Sequence, residues 1–292
     1  MQNLAGKVAF ITGGGSGIGL AMAEAFGDSG MKLVIADVDT AALAAVAERF
    51  RGRNVPVLTI ELDVTDRAGV AAAADRAYAE FGAVHVLCNN AGVYRGGTLD
   101  RVTYEDWDWV LGVNVGGVVN GIQTLLPRMR DQGEGGHIVN TASMAGLSAG
   151  AGLGVYNASK YAVVGLSEAL RADLAPHGIG VSVLCPGMVR TGILESERNR
   201  PVERAATDAD AEQAAREHNA FMQAMMVSGI DADEVARVVL EGVRDNRFWL
   251  LSHPEMKPMV EARSVELLAA FGEPDPARLA ILQQVLSGLQ PD

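Results

Sequence analysis

The chain has 292 residues, of which 49% are hydrophobic and 21% are charged, and its formal net charge is -12. These proportions are typical of a globular protein and exclude a disordered one. The acidic balance disfavours a nucleic-acid partner, because proteins that bind a phosphate backbone concentrate Lys and Arg.

The sequence also limits the compartment and the metal chemistry. The N-terminal segment "MQNLAGKVAFITGG" lacks the pattern of a leader, and no run approaches the roughly 18 consecutive apolar residues of a membrane span. Cys88 and Cys185 close apolar runs, which suits buried thiols in a reducing compartment. The five histidines lack zinc-site spacing. We therefore expect a soluble, cytoplasmic protein with no membrane partner and no metal.

Short apolar runs alternate with helical patterns along the chain. Helical patterns cover 17–29, 40–50, 66–80 and 103–130, and the strand-like runs are "KVAFI", "KLVIA", "VPVLTI", "VHVLC", "GHIVNTA", "VSVLC" and "RFWLL". This alternation is typical of βαβ units, and strands apolar on both faces belong in a covered parallel sheet. The sequence predicts an α/β, doubly wound Rossmann fold with a seven-stranded parallel sheet flanked by helices.

Two segments depart from this alternation. Residues 192–230 are polar and then methionine-rich, which predicts a helical insertion that acts as a substrate-binding lid. Residues 253–292 show helical spacing and predict a C-terminal extension, packed on the same domain or on a neighbouring subunit. The Rossmann-fold domain therefore covers residues 1–252, with the insertion as part of it.

The stretch "TGGGSGIG" at 12–19 lies between the first strand and the first helix, where backbone N–H groups and the helix dipole can bind a phosphate. A P-loop is excluded because Leu20 stands where that motif requires lysine. Asp37 ends the second strand and can accept hydrogen bonds from ribose hydroxyls. It would repel a 2′-phosphate, and neither Val38 nor Asp39 supplies a cation, so NAD is favoured over NADP.

Tyr156 and Lys160 stand four positions apart, which places them on one face of a helix. Lowering the pKa of a phenol from about 10 to about 7 requires roughly 4 kcal/mol. One charge at about 4 Å offers near 4 kcal/mol at an effective dielectric constant of 20. Lys160, aided by the positive charge of a cofactor, would suffice, although the spacing alone also fits two ordinary helix residues.

The motifs taken together are similar to those of the classical short-chain dehydrogenase/reductase family. The resemblance covers about residues 5–191 and rests on "TGGGSGIG", Asp63 with Val64, "NNAG" at 89–92, Asn114, Ser143, Tyr156 with Lys160, and "PGMVRT" at 186–191. All occur in the order of the family.

The resemblance implies a role for each matching residue. Tyr156 would be the general acid/base, Ser143 would orient the substrate oxygen, Lys160 would lower the pKa of the tyrosine and hold the nicotinamide ribose, and Asn114 would anchor a water relay. The implied cofactor-binding residues, which include Tyr156 and Lys160, are Gly13, Gly15, Ser16, Gly17, Ile18, Gly19, Asp37, Val38, Asp63, Val64, Asn90, Ala91, Gly92, Pro186, Gly187, Val189 and Thr191.

These residues predict an NAD-dependent oxidoreductase that interconverts a secondary alcohol and a ketone. Apolar residues of the loops and the insertion predict a bulky apolar or aromatic substrate; the candidates are Met144, Leu153, Met188, Met222 and Met226. Two alternatives stay open: an NAD-binding sensor on the same fold, and a serine hydrolase that uses Ser148 of "GLSAG". The family resemblance implies a homodimer or homotetramer.

Overall fold

The computed structural model describes residues 1–201 and 209–288. The chain forms two compact units, Met1–Pro254 and Glu255–Asp292. The first unit contains every strand of the sheet.

The seven predicted strands form one parallel sheet, as the sequence predicted. Its order is β3-β2-β1-β4-β5-β6-β7, with neighbouring strands paired in parallel. The chain order reverses between β1 and β4, so the carboxyl ends of these two strands border the crevice in which ligands of open α/β sheets bind. The strands are β1 Val8–Thr12, β2 Lys32–Asp37, β3 Val57–Glu61, β4 Val86–Asn89, β5 Gly136–Thr141, β6 Ile179–Cys185 and β7 Trp249–Leu251.

Helices cover the sheet, and polar residues fix several of their starts. Asp39 and Asp66 each accept a backbone N–H as N-caps, and Thr103 forms a reciprocal capping box with Asp106. The helices are α1 Gly17–Asp28, α2 Thr40–Phe50, α3 Arg67–Phe81, α4 Tyr104–Leu111, α5 Gly117–Asp131, α6 Gly154–Leu174, α7 Ala209–Met226, α8 Ala232–Asp245, α9 Lys257–Ala269 and α10 Pro276–Gly288.

The core of the first unit lies between the sheet and the helices of that unit. All five residues of β1 are buried, and α1 and α8 pack side by side against one face of the sheet. The apolar residues that the βαβ pattern marked as two-sided, such as Leu33 and Val139, are fully buried. Their burial explains why the strand sequences do not alternate between apolar and polar residues.

A π-helical turn, Gly112–Gly116, joins α4 to α5. Together these elements form the stretch Tyr104–Asp131, which is long and apolar enough to cross a membrane by length and composition, although half of its most apolar window is buried. The count of consecutive apolar residues did not anticipate this stretch. Packing explains its apolar character, because Trp109, Leu125 and Met129 lie in the core.

The insertion and the C-terminal extension are helical where they are described. A 3₁₀ segment covers Gly192–Asn199, and α7 follows residues 202–208, which lie outside the described residues. The C-terminal unit holds α9 and α10, with exposed apolar side chains such as Val265 and Leu268 on α9 and Leu282 on α10.

Candidate active site

The glycine loop connects β1 directly to α1 at the carboxyl edge of the sheet. Ser16 is the N-cap of α1, yet its side chain accepts no N–H of the first turn. A methyl group at Gly19 would overlap the carbonyl oxygen of Gly13, so the loop closes tightly only with glycine there. The N–H groups of Gly17, Ile18 and Gly19 thus begin a helix that lacks a side-chain cap, which suits a pyrophosphate.

Hydrogen bonds to Thr12 hold this loop against the end of β4. The backbone N–H groups of Asn90 and Ala91 donate to Thr12 Oγ1 at 3.0 and 3.1 Å. The Asn90 amide donates to the carbonyl oxygens of Thr12 and Gly13 at 3.0 and 3.2 Å. The segment "NNAG" is therefore a structural clamp for the loop, and Gly92 continues from it towards the catalytic residues.

Two acidic residues follow the next strands at the adenosine end. Asp37 Oδ2 accepts the N–H of Gly15 at 2.9 Å, and Asp37 Oδ1 accepts the N–H of Asp39 at 3.0 Å. Val38 beside it is 45% exposed, which leaves an apolar surface on which an adenine can lie. Asp63 is exposed and accepts the N–H of Thr65, whereas Val64 is buried. The residues present thus fit an adenosine ribose and its base.

The catalytic candidates converge at the ends of β5 and α6. Ser143 follows β5 and accepts the N–H of Ala145 at 3.1 Å. Tyr156 and Lys160 lie in the first turns of α6, with Lys160 Nζ 5.5 Å from the centroid of the Tyr156 ring. Lys160 Nζ donates to the carbonyl oxygen of Thr141 at 3.0 Å, which fixes the ammonium behind the phenol.

Burial shifts the pKa values of both Tyr156 and Lys160. Burial raises the pKa of Tyr156 to about 12, against a hydrogen bond from Ser143 that lowers it. Burial also lowers the pKa of Lys160 to about 8. Burial therefore opposes the lowering of the Tyr156 pKa towards 7 that we expected from Lys160 aided by the positive charge of a cofactor, and that lowering stays a prediction. Desolvation of the phenolate exceeds the attraction of an ammonium that is itself desolvated.

Asn114 lies at the centre of the π-helical turn. Its Oδ1 accepts the N–H of Val93 at 2.8 Å, and its Nδ2 donates to the carbonyl oxygen of Val93 and to Ser159 Oγ, both at 3.0 Å. Single π-helical turns occur mostly at functional sites, where they re-aim a residue. Gly92 lies close to both Asn114 and Lys160. A methyl group at Gly92 would lie 3.4 Å from Asn114 Oδ1 and 3.6 Å from Lys160 Nζ.

The segment "PGMVRT" crosses the cleft from β6 to the glycine loop. Pro186 and Val189 are buried, and a methyl group at Gly17 would lie 3.1 Å from Thr191 Cγ2. His253 braces the segment, because its Nδ1 accepts the N–H of Gly187 at 3.0 Å and its Nε2 lies 2.9 Å from the carbonyl oxygen of Met188. The end of the "PGMVRT" segment thus lies beside the glycine loop.

The sequence of this chain also matches the model of a known protein family. The model of the family described as short chain dehydrogenase matches residues 7–201. The chain belongs to the short-chain dehydrogenase family. Its members are oxidoreductases that use NAD(P).

Relatives of this short-chain dehydrogenase cover nearly the whole chain. It is 38% identical over 262 residues to a protein named Cα-dehydrogenase of Sphingobium sp. (strain NBRC 103272 / SYK-6), covering 89% of this chain and 85% of that protein. A short-chain dehydrogenase/reductase from Burkholderia phymatum, solved in complex with NAD, aligns with TM-score 0.90 and 42% identity, covering 94% of this chain and 99% of that one. The apo form of LigO from Sphingobium sp. strain SYK-6 aligns with TM-score 0.81 and 40% identity over the full length of both chains.

The predicted substrate residues of this short-chain dehydrogenase fall in three places. Met144 is buried in a 3₁₀ turn after Ser143, and Leu153 pairs with Gly97 just before α6. Met188 lies in the "PGMVRT" segment, and Met222 and Met226 are half-buried on α7. Ser148 lies in the long loop between β5 and α6, so the strand-to-helix elbow that a hydrolase nucleophile requires is missing there.

An ionic cluster joins the insertion of this dehydrogenase to its core. Arg95 Nε lies 3.0 Å from Asp106 Oδ1, and Arg200 Nη1 lies 2.8 Å from the same oxygen. Arg95 also contacts Glu197 at 2.9 Å and Glu212 at 2.8 Å. The side chains of Arg95 and Arg200 are 3% exposed and that of Asp106 is fully buried, so these three are shielded from solvent, whereas Glu197 and Glu212 are partly exposed.

Sequence reasoning missed several supporting residues of the site. Thr12 clamps the glycine loop, Ser159 bonds Asn114, Thr141 fixes Lys160, and His253 braces the cofactor loop. Thr12 opens the glycine motif and Ser159 precedes the lysine, so their positions were available as signals. His253 had no local signal, because it reaches its partner across 66 positions of the chain.

Proposed function

We propose that this short-chain dehydrogenase interconverts a secondary alcohol and a ketone with NAD as the cofactor. The observation that carries the proposal is the convergence of Ser143, Tyr156 and Lys160 beside the glycine loop and the capless start of α1. A cofactor phosphate at the helix start and a hydroxyl group at the phenol can occupy one continuous cleft.

The side chains divide the chemistry between them. In the oxidation direction the substrate hydroxyl gives its proton to Tyr156 Oη, and Ser143 Oγ donates a hydrogen bond to the substrate oxygen. Lys160 holds positive charge behind the phenol, and Asn114 fixes the backbone of Val93 beside a water relay. NAD, when bound, supplies the acceptor for the hydride and a positive nicotinamide ring.

Tyr156 needs more positive charge than Lys160 supplies before its phenol oxygen can take up a proton from the substrate near neutral pH. The protein groups leave this phenol at about 12, so proton transfer near neutral pH requires further stabilisation of the phenolate. Bringing the pKa to about 7 needs roughly 7 kcal/mol, which is more than Lys160 can provide alone. The cleft is thus built to accept a proton only when the cofactor is in place.

Asp37 supports NAD rather than NADP. Its carboxylate accepts two backbone N–H groups, which fix its position at the end of β2. A 2′-phosphate at the same ribose would meet this negative charge, and Val38 and Asp39 offer no cation.

The substrate that the pocket favours is bulky and apolar or aromatic. Met144, Met188 and the half-buried methionines of α7 offer adaptable apolar surface. The similarity to a protein named Cα-dehydrogenase is in accord with an alcohol substrate.

The exposed apolar side chains of α9 and α10 support a homodimer or homotetramer, because such surface is seldom left to solvent.

A cofactor panel tests the proposal. The protein is mixed with NAD or NADP and a broad set of secondary alcohols, and the formation of reduced cofactor is followed by absorbance. We expect turnover of aryl or bulky alkyl alcohols with NAD. Tight binding of NAD without turnover of any alcohol would instead favour a cofactor-sensing regulator.

A further inference from the structure

Two buried polar atoms beside the catalytic tyrosine lack a hydrogen-bond partner within the described part of the chain. They are Tyr94 Oη and His218 Nε2. Tyr94 is 4% exposed, so solvent does not satisfy its hydroxyl. Buried polar atoms almost always have partners, and leaving one unsatisfied costs about 1–3 kcal/mol. Two such atoms next to a reaction centre indicate a ligand that bonds to them.

Ring contacts connect these two atoms to the general base. The Tyr94 ring meets the Tyr156 ring edge to face, with centroids 5.2 Å apart and an interplanar angle of 62°. The His218 ring stacks on the Tyr94 ring, with centroids 6.3 Å apart and an interplanar angle of 21°. One aromatic ring therefore separates the proton-transfer group from the imidazole of α7.

Two glycines make room for this imidazole. A methyl group at Gly152 would lie 2.7 Å from His218 Nδ1, and a methyl group at Gly96 would overlap His218 Cδ2. The same methyl at Gly96 would lie 3.1 Å from Tyr94 Oη. The His218 ring and the Tyr94 hydroxyl are thus held in place by a close backbone, and neither can turn away from the pocket without moving the loop.

The pair carries no charge at neutral pH. Burial lowers the pKa of His218 and raises the pKa of Tyr94, so the imidazole is neutral and the phenol keeps its proton. Arg95, which follows Tyr94, belongs to the ionic cluster, in which Asp106, Glu197 and Glu212 face Arg95 and Arg200. Arg216 and Glu217, which precede His218, are exposed. The carboxylates of the cluster disfavour an anionic ligand, and two neutral hydrogen-bonding groups suit an uncharged oxygen.

We propose that Tyr94 Oη and His218 Nε2 together bind an uncharged oxygen of the substrate, a hydroxyl or an ether, at the end remote from the carbinol carbon. The proposal rests on the proposed function and specifies its substrate class. The Tyr94 ring contacts both the Tyr156 ring and the His218 ring, with centroids 5.2 Å and 6.3 Å away, so we expect the substrate to carry its second oxygen about one aryl ring away from the carbinol. The substrate class is an oxygen-substituted aryl secondary alcohol.

Matched alcohols test the pair directly. Wild-type enzyme is assayed with NAD on 1-phenylpropan-1-ol and 1-(4-hydroxyphenyl)propan-1-ol, and the readout is the ratio of their kcat/KM values. We expect a preference of at least about tenfold for the hydroxylated alcohol, which corresponds to about 1.4 kcal/mol. Tyr94→Phe and His218→Phe keep the rings and remove the polar atoms, so each is expected to reduce this ratio to within about threefold of unity.

Control variants remove the same groups elsewhere. Tyr104 is 87% exposed and His177 is exposed, so Tyr104→Phe and His177→Phe are expected to leave the ratio unchanged. Equal losses on both alcohols in the Tyr94 and His218 variants would show that these side chains only pack the pocket. That result, or a wild-type kcat/KM ratio near one, would refute the proposal that Tyr94 and His218 bind the substrate oxygen.

The outcomes also separate this proposal from the proposed function. Turnover of other secondary alcohols without discrimination between the matched pair refutes the recognition pair alone. Absence of turnover on every secondary alcohol refutes the proposed function. Titration of the NAD complex with propiophenone and 4′-hydroxypropiophenone then decides the pair independently, because tighter binding of the hydroxylated ketone is expected in wild type and is lost in both variants.

Discussion

Neutralising Asp106 is expected to destabilise the enzyme by releasing the insertion. Its carboxylate lies within 3.0 Å of Arg95 Nε and within 2.8 Å of Arg200 Nη1, and all three side chains are buried. Breaking a buried ion pair from one side costs about 3–5 kcal/mol, because a charge is left without its partner. Glu197 still contacts both arginines, so we expect Asp106→Asn to fall at the lower end, about 3 kcal/mol.

Urea denaturation followed by circular dichroism measures this loss. Asn at position 106 can still accept the N–H of Thr103, so the start of α4 is kept and the change isolates the charge. Asp173→Asn is the matched control, since Asp173 is exposed on α6 and is expected to change stability by less than about 0.5 kcal/mol. A substrate KM that rises in Asp106→Asn but not in Asp173→Asn would link the loss to the insertion. Equal unfolding free energies for wild type and Asp106→Asn would refute the reasoning.

Two further predictions concern charge. Asp37→Ser is expected to raise the kcat/KM ratio of NADP to NAD by about tenfold, or 1.4 kcal/mol, because it removes the repulsion of a 2′-phosphate. An unchanged ratio, equal to that of Asp39→Asn, would contradict this reading of Asp37. Burial lowers the pKa of His137 to about 3 from an unfolded value near 6.5, so the unfolded chain binds more protons and stability falls as pH drops below about 6.5. Between pH 7.5 and 5.0 this group should lower the free energy of unfolding by about 2 kcal/mol. The urea midpoint of His137→Asn should therefore fall less over that interval than the midpoint of wild type. Equal falls of the two midpoints would exclude His137 as the cause.

Much of the fold could be predicted because its signals are local. Each strand is a short apolar run bounded by turns, and the glycine loop stands directly between β1 and α1. Strand ends such as Thr12 were misplaced by only a residue or two. The parallel sheet then followed from crossover rules that need no side-chain detail.

The parts that could not be predicted depend on contacts distant in sequence and on desolvation. Arg95 reaches Glu212 across 117 positions, and no local pattern marks either as a partner of the other. The spacing of Tyr156 and Lys160 placed both on one face, yet it gave no measure of burial, which governs both pKa values. For the same reason the sequence does not indicate that Tyr94 and His218 are neighbours, although their rings stack in the fold.

We infer that the Tyr156 hydroxyl exchanges a proton with the substrate and contributes little to the affinity for NAD. Tyr156→Phe keeps the ring against Tyr94 and removes only the hydroxyl. We expect kcat on the best secondary alcohol to fall by at least about 10²-fold, the contribution typical of a general acid/base, while the Kd of NAD measured by calorimetry stays within about threefold of wild type. A variant that retains wild-type kcat, or that loses turnover only because it no longer binds NAD, would contradict the account.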